Sequence, residues 1–253
     1  MLMGRINICS IPVDALTMQE TVDLIDKAIT DQRSIHHVVI NAAKVANAQK
    51  DAALRESIVN ADIINADGQG IVWASWILNK PLPERVPGID LMDELVMLAV
   101  RRNYQIFFLG ATEAIVAKVI EIYSHKYGKK IIAGYRNGYF KKEDDQIVAK
   151  EIADSNADIL FVAMSSPKKE IFLNRYKDLI QVPFIMGVGG SFDVVAGLVK
   201  RAPKWMQNWG LEWSYRVIQE PRRMWKRYLF GNSVFIYLVL KEKLKQIFRM
   251  NNP

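Results

Sequence analysis

Gln105-Ile-Phe-Phe-Leu-Gly110-Ala-Thr-Glu113 is the stretch that decides the fold class of this chain. Gln105–Gly110 is a short, largely apolar run that ends in glycine, which predicts a buried strand. Thr112-Glu113 then opens an amphipathic segment, and a threonine followed by a carboxylate is typical of a helix start. A buried strand followed directly by a helix predicts one half of a β-α-β unit.

The same alternation of short apolar runs and longer amphipathic segments extends in both directions. The other predicted strands are Ile6–Ile11, His37–Asn41, Ile63–Ala66, Lys130–Gly134, Ile159–Ala163 and Pro183–Gly187. The predicted helices of this region include Thr17–Asp31 and Lys142–Ser155. Strands separated by helices of this length predict an α/β fold, with a mostly parallel, Rossmann-like sheet and helices on its faces.

Charge divides the chain near residue 200. The first 199 residues carry 22 Lys and Arg against 24 Asp and Glu, whereas residues 200–253 carry 12 Lys and Arg against 3 Glu, a net charge of +9. Four of the six tryptophans also lie in this last part, at Trp205, Trp209, Trp213 and Trp225. We therefore predict an α/β domain at 1–199 and a basic, Trp-rich helical appendage at 200–253. Its helices are predicted at Trp205–Gln219 and from Pro221.

The appendage indicates an anionic partner. Basic residues beside tryptophan, followed by the apolar run Leu229–Leu240, favour a segment lying on an anionic membrane leaflet. A helix that packs on the protein core with a charged outer face is the alternative. The chain has no helix-turn-helix, zinc-finger or RNA-recognition signature, so we expect no nucleic-acid partner. It also has no secretory signal and no apolar run of the ~18–20 residues that span a bilayer, so we expect a cytoplasmic, peripherally membrane-associated protein.

In this fold class, ligands bind at the carboxyl ends of the strands. Polar or flexible residues follow six predicted strands, at Asn41, Asp67–Gly70, Gly110–Glu113, Gly134–Gly138, Met164–Glu170 and Gly187–Asp193. Asp67 suits a general base, or alternatively caps the helix that starts near Ile71. Asp193 has the same two interpretations.

Three further features of the sequence are weaker evidence for a functional site. Gly187-Val-Gly-Gly190 does not complete the dinucleotide-binding pattern, which disfavours a nicotinamide site. Lys168 and Lys169 lie at a helix start, where cations are slightly unfavourable, so they are either a solvated first turn or ligand-binding cations. The single Cys9 and the adjacent His36 and His37 do not suggest a metal site, because neighbouring strand residues point to opposite faces.

Several motifs, in this order along the chain, resemble the WecG/TagA/CpsF glycosyltransferases (glycosyltransferase family 26). They are Asn41, Asn65-Ala-Asp67-Gly, Arg85-Val-Pro-Gly-Ile-Asp90-Leu, Phe108-Leu-Gly110, Gly138-Tyr-Phe140, Ser166-Pro-Lys-Lys-Glu170, Gly187–Asp193, Lys200-Arg-Ala-Pro203, Gly210–Arg216 and Glu220-Pro-Arg-Arg223. Many members have Gln where this chain has Lys169, and often Thr where it has Val39. The resemblance implies that both positions border the substrate, so these departures would bear on donor or acceptor identity.

The resemblance implies an inverting, metal-independent glycosyltransferase with no cofactor. It would move a sugar (N-acetylmannosamine-type, uronic acid or hexose) from a UDP-sugar to a polyprenyl-diphosphate-linked sugar in cell-surface polysaccharide biosynthesis. Asp67 would be the catalytic base, and Arg216 and Arg223 would stabilise the leaving diphosphate.

Seven further residues are expected to bind substrate. They are Asn41, Asp90, Gly110, Lys169, Gly189, Gly190 and Asp193. The alternative to an enzyme is an α/β binding module recruited to a membrane or to nucleic acid by its basic tail. The sequence leaves room for a homo-oligomer.

Overall fold

The computed structural model describes residues 4–165 and 168–251, except for the side chains at positions 223, 224, 227 and 249–251. Eight strands form two sheets in this part of the chain. The strands are β1 (Arg5–Ile8), β2 (Ile11–Asp14), β3 (Ile35–Ile40), β4 (Ile63–Ala66), β5 (Ile106–Gly110), β6 (Ile132–Arg136), β7 (Ile159–Ala163) and β8 (Phe184–Gly187).

Twelve α-helices are found in the same described residues. They are α1 (Met18–Thr30), α2 (Ala42–Ala48), α3 (Ala52–Val59), α4 (Gln69–Ile77), α5 (Gly88–Arg102), α6 (Glu113–Tyr127), α7 (Asp145–Asp154), α8 (Lys168–Ile180), α9 (Ser191–Val195), α10 (Lys204–Asn208), α11 (Glu212–Gln219) and α12 (Pro221–Asn251).

The larger sheet has six strands in the order β4-β3-β8-β7-β5-β6. The pairs β3–β8, β8–β7, β7–β5 and β5–β6 are all parallel. β5 and β7 are buried along their whole length, which explains why their sequences are continuous apolar runs and not alternating ones. The predicted α/β fold with a mostly parallel sheet and flanking helices is confirmed.

The single strand predicted at Ile6–Ile11 is wrong. The chain reverses at Cys9 and Ser10, whose φ values are +50° and +62°, and β1 and β2 form a separate antiparallel hairpin. Positive φ at both central residues is the geometry of a tight hairpin turn, which normally selects Asn or Gly. Cys and Ser give no such signal, so the turn was invisible in the sequence.

The helix predicted at Trp205–Gln219 is in fact two helices, α10 and α11. They are separated at Gly210, whose φ is +64°, a backbone conformation outside the helical range. The helix predicted from Pro221 is present and continues to Asn251 as α12. In the described part of the chain, no helix combines the length and the apolar character needed to cross a bilayer.

The chain divides into two compact units. One contains the chain up to Met18, Val39–Pro87 and everything from Arg201, and the other contains Gln19–Val38 and Gly88–Lys200. The residues of the appendage therefore cluster with the hairpin and with α2–α4. The predicted division into 1–199 and 200–253 stays a prediction about which part folds independently.

Candidate active site

Asn41 and Asp67 lie together where β3 and β4 end. Asn41 is the N-cap of α2, and its Oδ1 accepts a hydrogen bond from the backbone N–H of Lys44 at 3.0 Å. The Asp67 N–H donates to the Ile40 carbonyl oxygen at 2.9 Å. A Cβ built on Gly68 would lie 3.6 Å from the Asn41 Cβ. The structure thus forms one corner from two residues that the sequence predicted to bind substrate and to act as base.

Asp67 does not cap the helix that follows it. The N-cap of α4 is Gly68, and Asp67 lies one residue earlier, between the strand and the helix. Its side chain is half-buried and takes part in polar interactions. The N-cap interpretation of Asp67 is therefore wrong. A partly exposed carboxylate at a strand end, next to a glycine without a side chain, has the surroundings that a general base requires.

Arg216 lies on α11, and this region contacts both Arg85 and α4 of the same unit. Glu212, one turn before Arg216, pairs with Arg85, whose Nη1 lies 3.5 Å from the Glu212 Oε2. A Cβ on Gly210 would lie 3.0 Å from the Gln69 Cβ, so the turn before α11 touches the first residue of α4. Residues four apart share a helix face. Arg216 therefore lies on the same face of α11 as Glu212, which is the face that contacts Arg85.

The side chain of Arg223 lies outside the described residues, and only its position in the first turn of α12 is given. Its role at a diphosphate stays a prediction. Ser166 and Pro167 of the motif before α8 also lie outside the description.

Helix α12 packs on α2, a contact that sequence reasoning did not predict. A Cβ on Gly231 would lie 2.9 Å from the Ala43 Cβ, and Ala43 is in the first turn of α2, directly after Asn41. Phe235 and Val239, at the next helical turns, are each 4 % exposed. A glycine in line with buried residues four apart is the only sequence signal of this close helix packing.

A polar contact holds the far end of the same helix. Glu242 accepts hydrogen bonds from the Cys9 backbone N–H at 2.7 Å and from Lys80 Nζ at 3.0 Å. Lys80 Nζ also donates to the Asn7 carbonyl oxygen at 2.8 Å. Burial and the neighbouring Glu242 raise the pKa of Cys9 to about 12. Glu242 thus joins α12 to the hairpin turn and to the chain after α4.

In the second unit, Lys169 lies across the end of β8. A Cβ on Gly187 would be 2.8 Å from the Lys169 Cε, so a larger residue at 187 would require this lysine side chain to shift. The Lys169 side chain is 11 % exposed, and its Nζ lies 3.6 Å from Glu170 Oε1. The Lys169 side chain is therefore largely buried at the strand ends, and it is not part of a solvated helix turn.

The neighbouring Lys168 side chain makes different contacts. Its Nζ donates to the Gly138 carbonyl oxygen at 3.0 Å and lies 4.5 Å from the centre of the Phe140 ring. A Cβ on Gly138 would lie 3.0 Å from the Gly110 Cα. Gly110 itself has φ +129° and could not carry a Cβ, which would be 2.5 Å from Ala163 backbone atoms. The loops after β5, β6 and β7 are thus packed backbone to backbone, and Gly110 serves this packing.

The remaining predicted residues lie in the same unit. Gly189 has φ +55°, and Gly190 is the N-cap of α9. Asp193 is inside α9 and not before it, and a Cβ on Gly190 would lie 3.5 Å from the Asp193 Oδ2. Asp90 is in the first turn of α5 and is partly buried. The structure brings Gly190 and Asp193 together, as it does Asn41 and Asp67.

The described residues contain no group of three or more His, Cys, Asp or Glu side chains arranged to hold a metal ion. Metal independence is a property that the family resemblance implies, and it stays a prediction.

Comparison with known proteins decides the family of this chain. Residues 6–249 match the model of the Glycosyl transferase WecG/TagA/CpsF family. This chain belongs to that family. It is therefore a glycosyltransferase, and the alternative of a non-enzymatic binding module is not retained.

Relatives in three bacteria share one printed name, N-acetylglucosaminyldiphosphoundecaprenol N-acetyl-beta-D-mannosaminyltransferase. The Bacillus subtilis (strain 168) protein is 36% identical over 241 residues, which are 94% of this chain and 93% of the relative. The Bacillus spizizenii protein is 41% identical over 184 residues, 73% of this chain and 70% of the relative. The Staphylococcus aureus (strain MW2) protein is 34% identical over 244 residues, 96% and 94% of the two chains. The similarity to the first and third covers both the α/β body and the appendage of this WecG/TagA/CpsF glycosyltransferase.

Proposed function

We propose that this glycosyltransferase moves an N-acetylmannosamine-type sugar from a UDP-sugar to N-acetylglucosamine carried on a polyprenyl diphosphate. The observation that carries the proposal is near full-length similarity to relatives named for that acceptor and that sugar. The Asn41–Asp67 corner supports it, because it offers a half-buried carboxylate at a strand end with room beside Gly68.

The proposed reaction is a single displacement. The acceptor hydroxyl oxygen attacks the anomeric carbon as the bond to the UDP oxygen breaks on the opposite face, and Asp67 takes the hydroxyl proton. A general base of this kind contributes about 10²–10⁴ in rate. An α-linked donor then yields a β-linked product, which agrees with the configuration in the relatives' name.

The leaving diphosphate gains negative charge as the bond breaks. We assign Arg216 and Arg223 to stabilise that charge, because a guanidinium stays protonated and donates two parallel hydrogen bonds. Lys169, held against Gly187, is the third cation. Asn41, Asp90, Gly110, Gly189, Gly190 and Asp193 are proposed to position the sugar and the nucleotide.

The acceptor's lipid requires work at a membrane surface. We propose that the protein acts on the inner face of the cell membrane, attached peripherally by the positive charge and tryptophans of residues 200–253. The cluster of exposed aromatic residues in α10–α12 supports this, with Trp209 71 % exposed and Phe230 63 % exposed.

Asp67→Asn tests the mechanism, and Asp178→Asn is the matched control because Asp178 is exposed on α8. Transfer is measured as UDP released from UDP-N-acetylmannosamine in the presence of a lipid-diphosphate N-acetylglucosamine acceptor. We expect a loss of at least about a hundredfold in kcat for Asp67→Asn and an unchanged rate for the control. An Asp67→Asn enzyme with normal kcat would remove Asp67 as the base. Transfer only with another donor sugar would correct the substrate and leave the mechanism standing.

A further inference from the structure

Helix α4 presents an apolar face that is separate in sequence from the appendage. Ile71, Val72, Ala74 and Ser75 are buried against the protein. Trp73, Trp76 and Ile77 lie on the other side, spaced by three and four residues, and are 44 %, 54 % and 47 % exposed. Two tryptophans and an isoleucine exposed on a single face need an explanation, because soluble proteins rarely expose large contiguous apolar patches.

Two segments of the appendage lie against this helix, one at each end. At the start of α4, a Cβ on Gly210 would lie 3.0 Å from the Trp73 Cη2. The residue before Gly210 is Trp209, which is 71 % exposed. An exposed tryptophan, Trp209, thus directly precedes the residue that lies against the Trp73 ring.

At the other end of α4, Gln246 of α12 donates a hydrogen bond to the Leu78 carbonyl oxygen at 3.4 Å. The residues after Gln246 are Ile247 and Phe248, which are 43 % and 65 % exposed. Exposed apolar residues of α12 thus directly follow the residue that is bonded to the end of α4. We call Trp73, Trp76 and Ile77, together with Trp209 and Phe248, the α4 surface.

The chemistry of the α4 surface favours a lipid leaflet over a second copy of the chain. Indole rings prefer the boundary between water and hydrocarbon. Lys204, Lys241 and Lys245 are exposed on α10 and α12. Protein–protein interfaces are depleted in lysine, whereas lysines beside an apolar face are attracted to anionic headgroups.

We propose that the α4 surface lies on an anionic lipid leaflet, so that Trp76 and Ile77 of the α/β body bind the membrane together with the appendage. The membrane as partner rests on the proposed function, but the inclusion of α4 rests on the exposure and contacts given above. This proposal also sets a distance between the membrane and Asp67. α4 has nine residues and starts two positions after Asp67, so the base lies about 13 Å of helix from the end of that surface.

The test is Trp76→Gln/Ile77→Gln, with Ile147→Gln as the matched control because Ile147 is 62 % exposed on α7 of the other unit. Trp73 is kept, since it contacts Gly210. Binding is measured by co-sedimentation with vesicles of phosphatidylglycerol and phosphatidylcholine in equal amounts. We expect about tenfold or greater weakening for the double variant and no change for the control.

Activity separates this proposal from the proposed function. With a short-chain, water-soluble acceptor the double variant should keep the wild-type rate, whereas transfer to a long-chain acceptor in the same vesicles should fall with vesicle binding. If the double variant loses vesicle binding but the wild type transfers no sugar to either acceptor, the proposed function is refuted and the α4 surface stands. Unchanged vesicle binding would overturn the α4 surface. Unchanged binding with fewer dimers in analytical ultracentrifugation would assign it to a second copy.

Discussion

The two halves of the basic appendage differ in how they meet the rest of the protein. From Gly231 to Gln246, α12 is docked: Phe235 and Val239 are buried, and Glu242 is hydrogen-bonded. In α11 no residue is fully buried, and Arg216 is partly exposed. The two halves of the appendage thus differ in burial although both are basic and rich in aromatic residues. The docked half packs on the unit that contains Asn41 and Asp67, and the upstream half is the part to which we assign ligand binding.

The largest expected effect concerns the docked half. Phe235→Ala should lower the free energy of unfolding by about 3–5 kcal/mol, because it leaves a cavity between α12 and α2. Ile236→Ala is the matched control, since Ile236 is 57 % exposed one position away, and it should cost little. Urea unfolding followed by circular dichroism measures both. Equal effects of the two substitutions would mean that α12 is not docked in solution.

Arg216→Ala should give the opposite pattern. We expect kcat to fall about 10²–10³-fold, as for other groups aimed at developing charge, while the free energy of unfolding changes by less than about 0.5 kcal/mol. Arg175→Ala, which removes an exposed arginine of α8, is the control for lost charge. Steady-state kinetics and urea unfolding are both required. A large loss of stability in Arg216→Ala would place this residue with the docked half.

The smallest expected effect on stability is at Glu242. Glu242→Gln removes the ion pair with Lys80, which is partly exposed, so we expect the free energy of unfolding to fall by about 1 kcal/mol or less.

The reactivity of Cys9 is a more sensitive measure of the contact between Glu242 and the hairpin turn. The raised pKa of Cys9, about 12, keeps the thiol protonated at pH 8, and native protein should react with iodoacetamide at least about a hundredfold more slowly than unfolded protein.

Glu242→Gln should speed this alkylation, because removing the carboxylate charge lowers the pKa of Cys9 and loosens the turn that buries it. Lys243→Gln, at the adjacent position of α12, should leave the rate unchanged. Equal rates in wild type and Glu242→Gln would show that Glu242 does not hold the hairpin to α12.

The sequence by itself determined the fold class and the family. Continuous apolar strands separated by amphipathic helices allow few architectures, and the parallel sheet followed from them. The sequence also located the glycines and carboxylates that follow the strands, and their roles in the site stay predictions. The positive charge and tryptophans of the last 54 residues, from 200 onward, indicated an anionic partner without any structure.

Only the tertiary structure decided how those residues are used. Local sequence could not show the hairpin turn at Cys9, since its positive φ is imposed by the surrounding packing. It could not distinguish Lys168, which binds the Gly138 carbonyl oxygen, from Lys169, which lies over Gly187. It also could not show that Gly231 meets Ala43, or that Gly210 lies against Trp73. The last two contacts join residues more than a hundred positions apart. The energy of all these contacts depends on three-dimensional packing that no local pattern of hydrophobicity or charge encodes.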